Sequence, residues 1–250
     1  MSRKKIKNPL IKRIPKEIIG DWKKYLVVFL FLVLTIGFVS GMYVANDSML
    51  TSADEGVSKY KQEDGHFELK DKADSELVTA IESGEVKTAR DEKESDGSKT
   101  PVTLYENFYR NETEDYDADG KKDGTIRVYT KTEDINLACL IEGSFPQNEN
   151  EIAVDRMHAD NVGMKVGDTI KVSGKEFKVS GLIAYVNYST LHEKKTDMMF
   201  DANKFTVALV TEHAFDKFGD AGLKKCYAWV NDDVALSDKE QEDKANDIKD

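Results

Sequence analysis

From Tyr25 to Asn46 the chain carries no charged residue, and thirteen of the 21 residues Tyr25–Ala45 are Leu, Ile, Val or Phe. A helix of that length spans about 31 Å, the thickness of a hydrocarbon core. Its thirteen large apolar side chains favour insertion by on the order of 4–8 kcal/mol. Upstream, Leu10, Ile11, Ile14, Ile18, Ile19 and Trp22 recur at spacings of three and four among Lys12, Arg13, Lys16, Lys23 and Lys24. This predicts a short basic amphipathic helix on the inner leaflet, with Pro15 in its first turn; an ordinary positive flank is the alternative. Downstream, the polar stretch within 46–64 has Gly56 as its one early breaker and predicts an outward stalk helix.

The remaining pattern is strand-like, interrupted by turn residues and a few helical stretches. Strands are expected at His66–Lys70, Val102–Tyr109, Thr125–Thr130, Asn136–Glu142, Glu151–Asp155, Thr169–Val172, Phe177–Tyr185, Phe205–Val210 and Cys226–Val230. Helical patterns fall at Ala73–Glu82, Arg156–Asn161, Glu212–Phe218 and Ser237–Ile248, and 85–100 reads as a solvated loop. The fold class is α+β: one transmembrane helix, then a two-lobed mixed α/β domain, with a candidate lobe boundary near 143–150. The chain accordingly divides into a basic tail (1–24), a span (25–45) and an outer domain (46–250).

Charge orients this arrangement. Residues 1–24 carry nine Lys/Arg against Glu17 and Asp21, a net of +7; the whole chain is −11, which leaves −18 for residues 25–250. The Lys/Arg bias puts the N-terminus in the cytoplasm and the main domain outside the plasma membrane. A cleaved signal peptide is the rival, since Val39-Ser40-Gly41 resembles a cleavage site, but the apolar run and basic region are both long for one. The acidic surface argues against nucleic acid as a partner.

Catalytic signatures are missing. The nearest imitation of a phosphate-binding loop, Gly167 to Gly174-Lys175, has six intervening residues where four are needed, and Glu176 where Ser or Thr belongs. His192-Glu193 lacks the second His of a zinc-protease helix, and no Gly-x-Ser-x-Gly occurs. The chain is expected not to be an enzyme, with no catalytic residue and no cofactor. Cys139 and Cys226 lie in strand-like contexts and read as separate core residues sooner than as a disulfide. Asp115-x-Asp117-x-Asp119-Gly120-x-x-Asp123 places carboxylates at positions 1, 3, 5 and 9 of a calcium-type loop, with Gly at 6. Ile126 stands where the bidentate Glu belongs, and the flanks are strand-like, so a solvated acidic hairpin loop is the favoured reading and no metal is expected. Within the span, Gly37 and Gly41 form a small-xxx-small pair that would let another membrane helix approach closely, or they are simply glycines in a membrane helix.

One segment carries a family pattern. Leu140-x-Glu142-Gly143-x-x-Pro146, Glu151-Ile152-Ala153-Val154, Ala159, Gly163-x-Lys165-Val166-Gly167-Asp168-x-Ile170 and Gly174-x-x-Phe177-x-Val179-x-Gly181-Leu182 occur in that order. The set resembles the extracytoplasmic core domain of FtsX/MacB-like ABC transporter permeases. Arg13–Ile19, Trp22–Tyr25 and the Gly37/Gly41 span are similar to the first membrane helix of large Firmicutes-type members. Residues 85–125 follow no such pattern. The resemblance implies a separate ATP-binding subunit, further transmembrane helices in a longer permease, and a homo- or pseudo-dimeric assembly. It also implies that the outer domain relays ATP-driven motion to a substrate outside the membrane. The same motifs have a structural meaning of their own: Val166-Gly167-Asp168 as a turn, Gly174-Lys175 as a hairpin, Gly181 as a bulge or close backbone approach. A single-span sensor or binding domain, or a secreted binding protein, remains as an alternative.

Overall fold

The computed structural model describes residues 19–83, 101–194, 196–231 and 239–240. The inner-leaflet helix expected before Ile19, the loop 85–100 and most of the helix Ser237–Ile248 lie outside the described residues. Contacts divide the chain between Glu55 and Gly56.

In the first unit a single α-helix begins at Trp22 and runs on to Lys59 in the second. No side chain of its apolar stretch is buried, and Leu26 to Val44 present a nearly unbroken row of exposed large hydrophobics. By length and composition this helix can cross a membrane.

The second unit is a mixed α/β domain. Its strands are β1 (Gly65–Leu69), β2 (Val102–Glu106), β3 (Tyr109–Asp115), β4 (Gly124–Thr130), β5 (Cys139–Gly143), β6 (Glu151–Asp155), β7 (Thr169–Val172), β8 (Lys175–Ala184), β9 (Phe205–Val210) and β10 (Leu223–Asn231). They form one sheet in the order β1-β10-β3-β4-β9-β6-β8-β5, with β2 added on β10 and β7 bridging β3 and β8. Helices occupy Ser75–Ser83, Arg156–Val162 and Glu212–Asp216.

Strand alternation builds a core on each face of the sheet. Ile126, Val128, Ile152, Val154, Ala208 and Val210 point to one side, where Ala159, Ala214 and Phe215 from the two later helices cover them. Tyr129, Ala153, Val207 and Leu209 point to the other, under Tyr185, Leu191 and Ala202. This is the two-residue period of a strand read on both sides at once. β9 is buried along its whole length, parallel to β4 and antiparallel to β6, which explains its unbroken run Phe-Thr-Val-Ala-Leu-Val.

The expected single strand Val102–Tyr109 is in fact two. β2 stops at Glu106 and pairs with β10, and β3 starts at Tyr109 and continues to Asp115. The polar run Arg110–Asp115 hides the second strand from a hydrophobicity reading. Gly181 sits at the bulge where β8 passes between β6 and β5, and a Cβ there would lie 2.5 Å from the Ser144 carbonyl oxygen. Gly143, at φ +74°, faces it across the same contact. The segment between Gly143 and Glu151 joins β5 to β6, both of which pair with β8.

Candidate functional site

Among the described residues, polar groups gather around Arg127, which bonds Asn111, Tyr188 and the Glu193 carbonyl, and at two further places. The first is the exit of the long helix. Lys61, at φ +49°, ends the helical path, and Asn136, at φ +46°, turns the chain ahead of β5 to meet it. Asn136 N donates to Lys61 O and Leu137 N to Tyr60 O, each at 2.8 Å. The Asn136 side chain completes a reciprocal pair: its Oδ1 accepts from Glu63 N at 3.0 Å and its Nδ2 donates to Glu63 Oε2 at 2.6 Å. The same Glu63 carboxylate meets His66 Nδ1 at 2.6 Å. Tyr60 OH reaches Cys139 Sγ at 2.8 Å. On the other side, Asp64 N donates to Trp229 O and Asp64 Oδ2 accepts from Asn231 N. Residues 60–64 are thus fastened both to the turn before β5 and to the end of β10. Apart from the local Glu63–His66 contact, none of this was legible in the sequence, because the partners lie more than seventy residues away.

The second place is the acidic turn between β3 and β4. Asp115 Oδ2 accepts from Gly120 N at 2.9 Å, and Asp123 Oδ2 accepts from Tyr116 N at 3.0 Å. Ala118 and Gly120 take left-handed conformations, at φ +59° and +92°, which curl the turn onto itself. One carboxylate oxygen from each of Asp115, Asp117 and Asp123 lies within 4.8 Å of the others. Asp119 does not join them. Its carboxylate bonds Lys121 Nζ and Lys121 N, which lowers its pKa below the usual carboxylate value. The turn is the acidic hairpin loop expected, with Asp117 and Asp119 exposed, but Asp115 ends a paired strand and is only 7% exposed.

Behind the turn, Glu114 and His158 meet with no exposure of either. Asp155 caps the helix that carries His158, accepting from Met157 N at 2.8 Å and His158 N at 3.3 Å, and burial raises its pKa. Of the cysteines, Cys226 is buried on β10, whereas Cys139 is only partly covered at the start of β5. Apart from the helix's own backbone, none of the described residues approaches within 4 Å of where a Cβ would stand on Gly37 or Gly41.

No family model matches the chain, and no curated protein matches it. Among solved structures it is similar to the extracellular domain of a noncanonic ABC-type transporter, YknZ, from Gram-positive bacteria. That likeness has 13% identity and a TM-score of 0.35, over 74% of this chain and 90% of the other. It is similar to the periplasmic region of MacB from Actinobacillus actinomycetemcomitans at 10% identity and a TM-score of 0.34, over 59% of this chain and 65% of that one. A domain of a permease protein from Porphyromonas gingivalis gives 11% identity and a TM-score of 0.31, over 59% and 62%. The chain spans less than two thirds of the second and third of these. At such identities and TM-scores no residue's role transfers from them.

Proposed function

We propose that this chain is the N-terminal part of an ABC transporter permease of the FtsX/MacB type. In this reading the helix Trp22–Lys59 crosses the plasma membrane with the basic tail inside. The outer domain, in two lobes, passes ATP-driven motion of the membrane helices to a substrate or partner outside. ATP is hydrolysed by a separate subunit, and the chain itself has no enzymatic activity.

The observation that carries this reading is the fastening of the helix exit. Tyr60 and Lys61 give their carbonyls to Leu137 and Asn136, and Asn136 is tied back to Glu63. A displacement of residues 60–63 therefore pulls on the turn before β5 and not on a slack linker. The exposed apolar row supports the membrane assignment, since an uncovered stripe of this size is not tolerated in water. The Lys/Arg asymmetry supports the orientation.

The test is purification of the full-length parent protein from its own membranes. Co-purification of a nucleotide-binding ATPase, with no ATP hydrolysis by the permease chain alone, is the expected result. A parent that carries no further apolar segments and brings down no ATPase overturns it in favour of a single-span sensor or binding domain. A reporter fused after residue 60 should lie outside the cytoplasm, and a mature N-terminus near residue 42 would instead identify a secreted protein.

A further inference from the structure

We propose that the β3–β4 turn binds one Ca²⁺ ion through Asp115, Asp117 and Asp123. Three carboxylates bring one oxygen each to within 4.8 Å of one another. No ion pair joins any of the three among the described residues. Lys121 lies close enough to feel Asp117 and Asp123, but its Nζ bonds Asp119, and Lys171 Nζ bonds the Ala118 carbonyl at 3.0 Å. Like charges gathered this closely repel unless a cation lies among them.

An independent observation points to a ligand. Asp115 is 7% exposed, its Oδ2 is satisfied by Gly120 N, and its Oδ1 is sealed from solvent with no hydrogen-bond donor. A buried polar atom without a partner is costly, and native structures seldom leave one so. A cation held by the cluster satisfies the orphaned oxygen and removes the repulsion together.

The chemistry selects the ion. All three donors are hard oxygens, and no His or Cys belongs to the cluster, which disfavours zinc and copper. Ca²⁺ accepts an irregular oxygen set of variable number, whereas Mg²⁺ demands a near-ideal octahedron. The position of a bidentate Glu is taken by Ile126, which is fully buried in the core, so backbone carbonyls and water complete the shell. Such a site belongs to the weak class of extracellular modules, with a dissociation constant on the order of 10⁻⁴–10⁻³ M. The site does not depend on the permease reading.

The test titrates the full chain in detergent with CaCl₂, following heat and melting temperature, with MgCl₂ in parallel. One saturable site is expected, with a rise of about 3–6 °C at roughly ten times the dissociation constant. Asp117→Asn and Asp123→Asn should each weaken binding by about tenfold or more while leaving the melting temperature in chelator unchanged. If Asp123→Asn loses stability with its Tyr116 contact, Asp117→Asn carries the test, since the Asp117 side chain accepts from the backbone N of exposed Asp119. No heat and no shift up to about 10 mM Ca²⁺ overturns the proposal. So does a response that Mg²⁺ reproduces and that both variants retain, which marks loose counterions on an acidic surface.

Discussion

His158 Nε2 lies 3.0 Å from Glu114 Oε1, and neither side chain has any exposure. The other ring nitrogen, Nδ1, lies 2.6 Å from the Ala202 carbonyl oxygen, which can only accept. Both nitrogens thus face acceptors, an environment made for the imidazolium form. With the ring protonated, Glu114 is its ion-pair partner. Burial pulls the His158 pKa down, but Glu114 and the Ala202 carbonyl outweigh it and hold the value above 6.5. The pair fixes the helix Arg156–Val162 to β3, directly behind the acidic turn.

Breaking that pair from one side should be severe. His158→Leu leaves a buried carboxylate unpaired and is expected to cost about 3–5 kcal/mol, read from thermal or urea unfolding. A variant as stable as the parent would show that Glu114 finds another partner.

The pair also sets a pH dependence. A folded-state pKa raised above 6.5 contributes stability that is complete below that value and is lost as pH rises through the folded pKa. The melting temperature of the parent, in chelator, should fall relative to a Glu114→Gln/His158→Gln variant as pH rises above about 6.5. Parallel curves would mean that His158 is already neutral in the folded protein.

At the helix exit, Asn136→Ala removes both bonds to Glu63 and puts a Cβ-bearing residue without a side-chain partner at φ +46°. The loss of a bond to a charged group is worth about 1.5–3 kcal/mol. Asn136→Gly, free of the backbone strain, should recover about 1 kcal/mol of that without restoring the bonds. Equal stabilities for the two variants would remove the strain from the account.

Gly181→Ala forces a methyl group against the Ser144 carbonyl, where overpacking costs about 1–3 kcal/mol. Gly37→Ala, with nothing nearby, should leave unfolding of the outer domain untouched. The same holds for Gly37→Leu/Gly41→Leu, which should nevertheless weaken association with companion helices. That is read as a lower yield of the co-purified assembly, and an unchanged yield would leave the two glycines without an interface role.

The sequence by itself determined the elements whose signal is local. β6, β7 and β9 occur at the residues expected, because a short apolar run between turn residues carries its own boundaries. The Ser173-Gly174 turn, with φ of +47° and +77°, closes the β7–β8 hairpin where Gly174-Lys175 announced it. The apolar helix needed only a count of residues. Tertiary structure decided the polar elements. β3 runs through Arg110, Glu114 and Asp115, which look like loop until Arg110 lies 4.9 Å over the Phe215 ring and Glu114 meets His158. The acidic turn showed its carboxylates in sequence, but not which would gather. Pairing of Asp115 with Lys171 across β3 and β7 buries the first, while the Lys121 ammonium draws Asp119 away from the rest. Hydrophobic period is a property of neighbours in the chain. The burial of a charge depends on a partner that folding brings from far away, and no window along the sequence contains both.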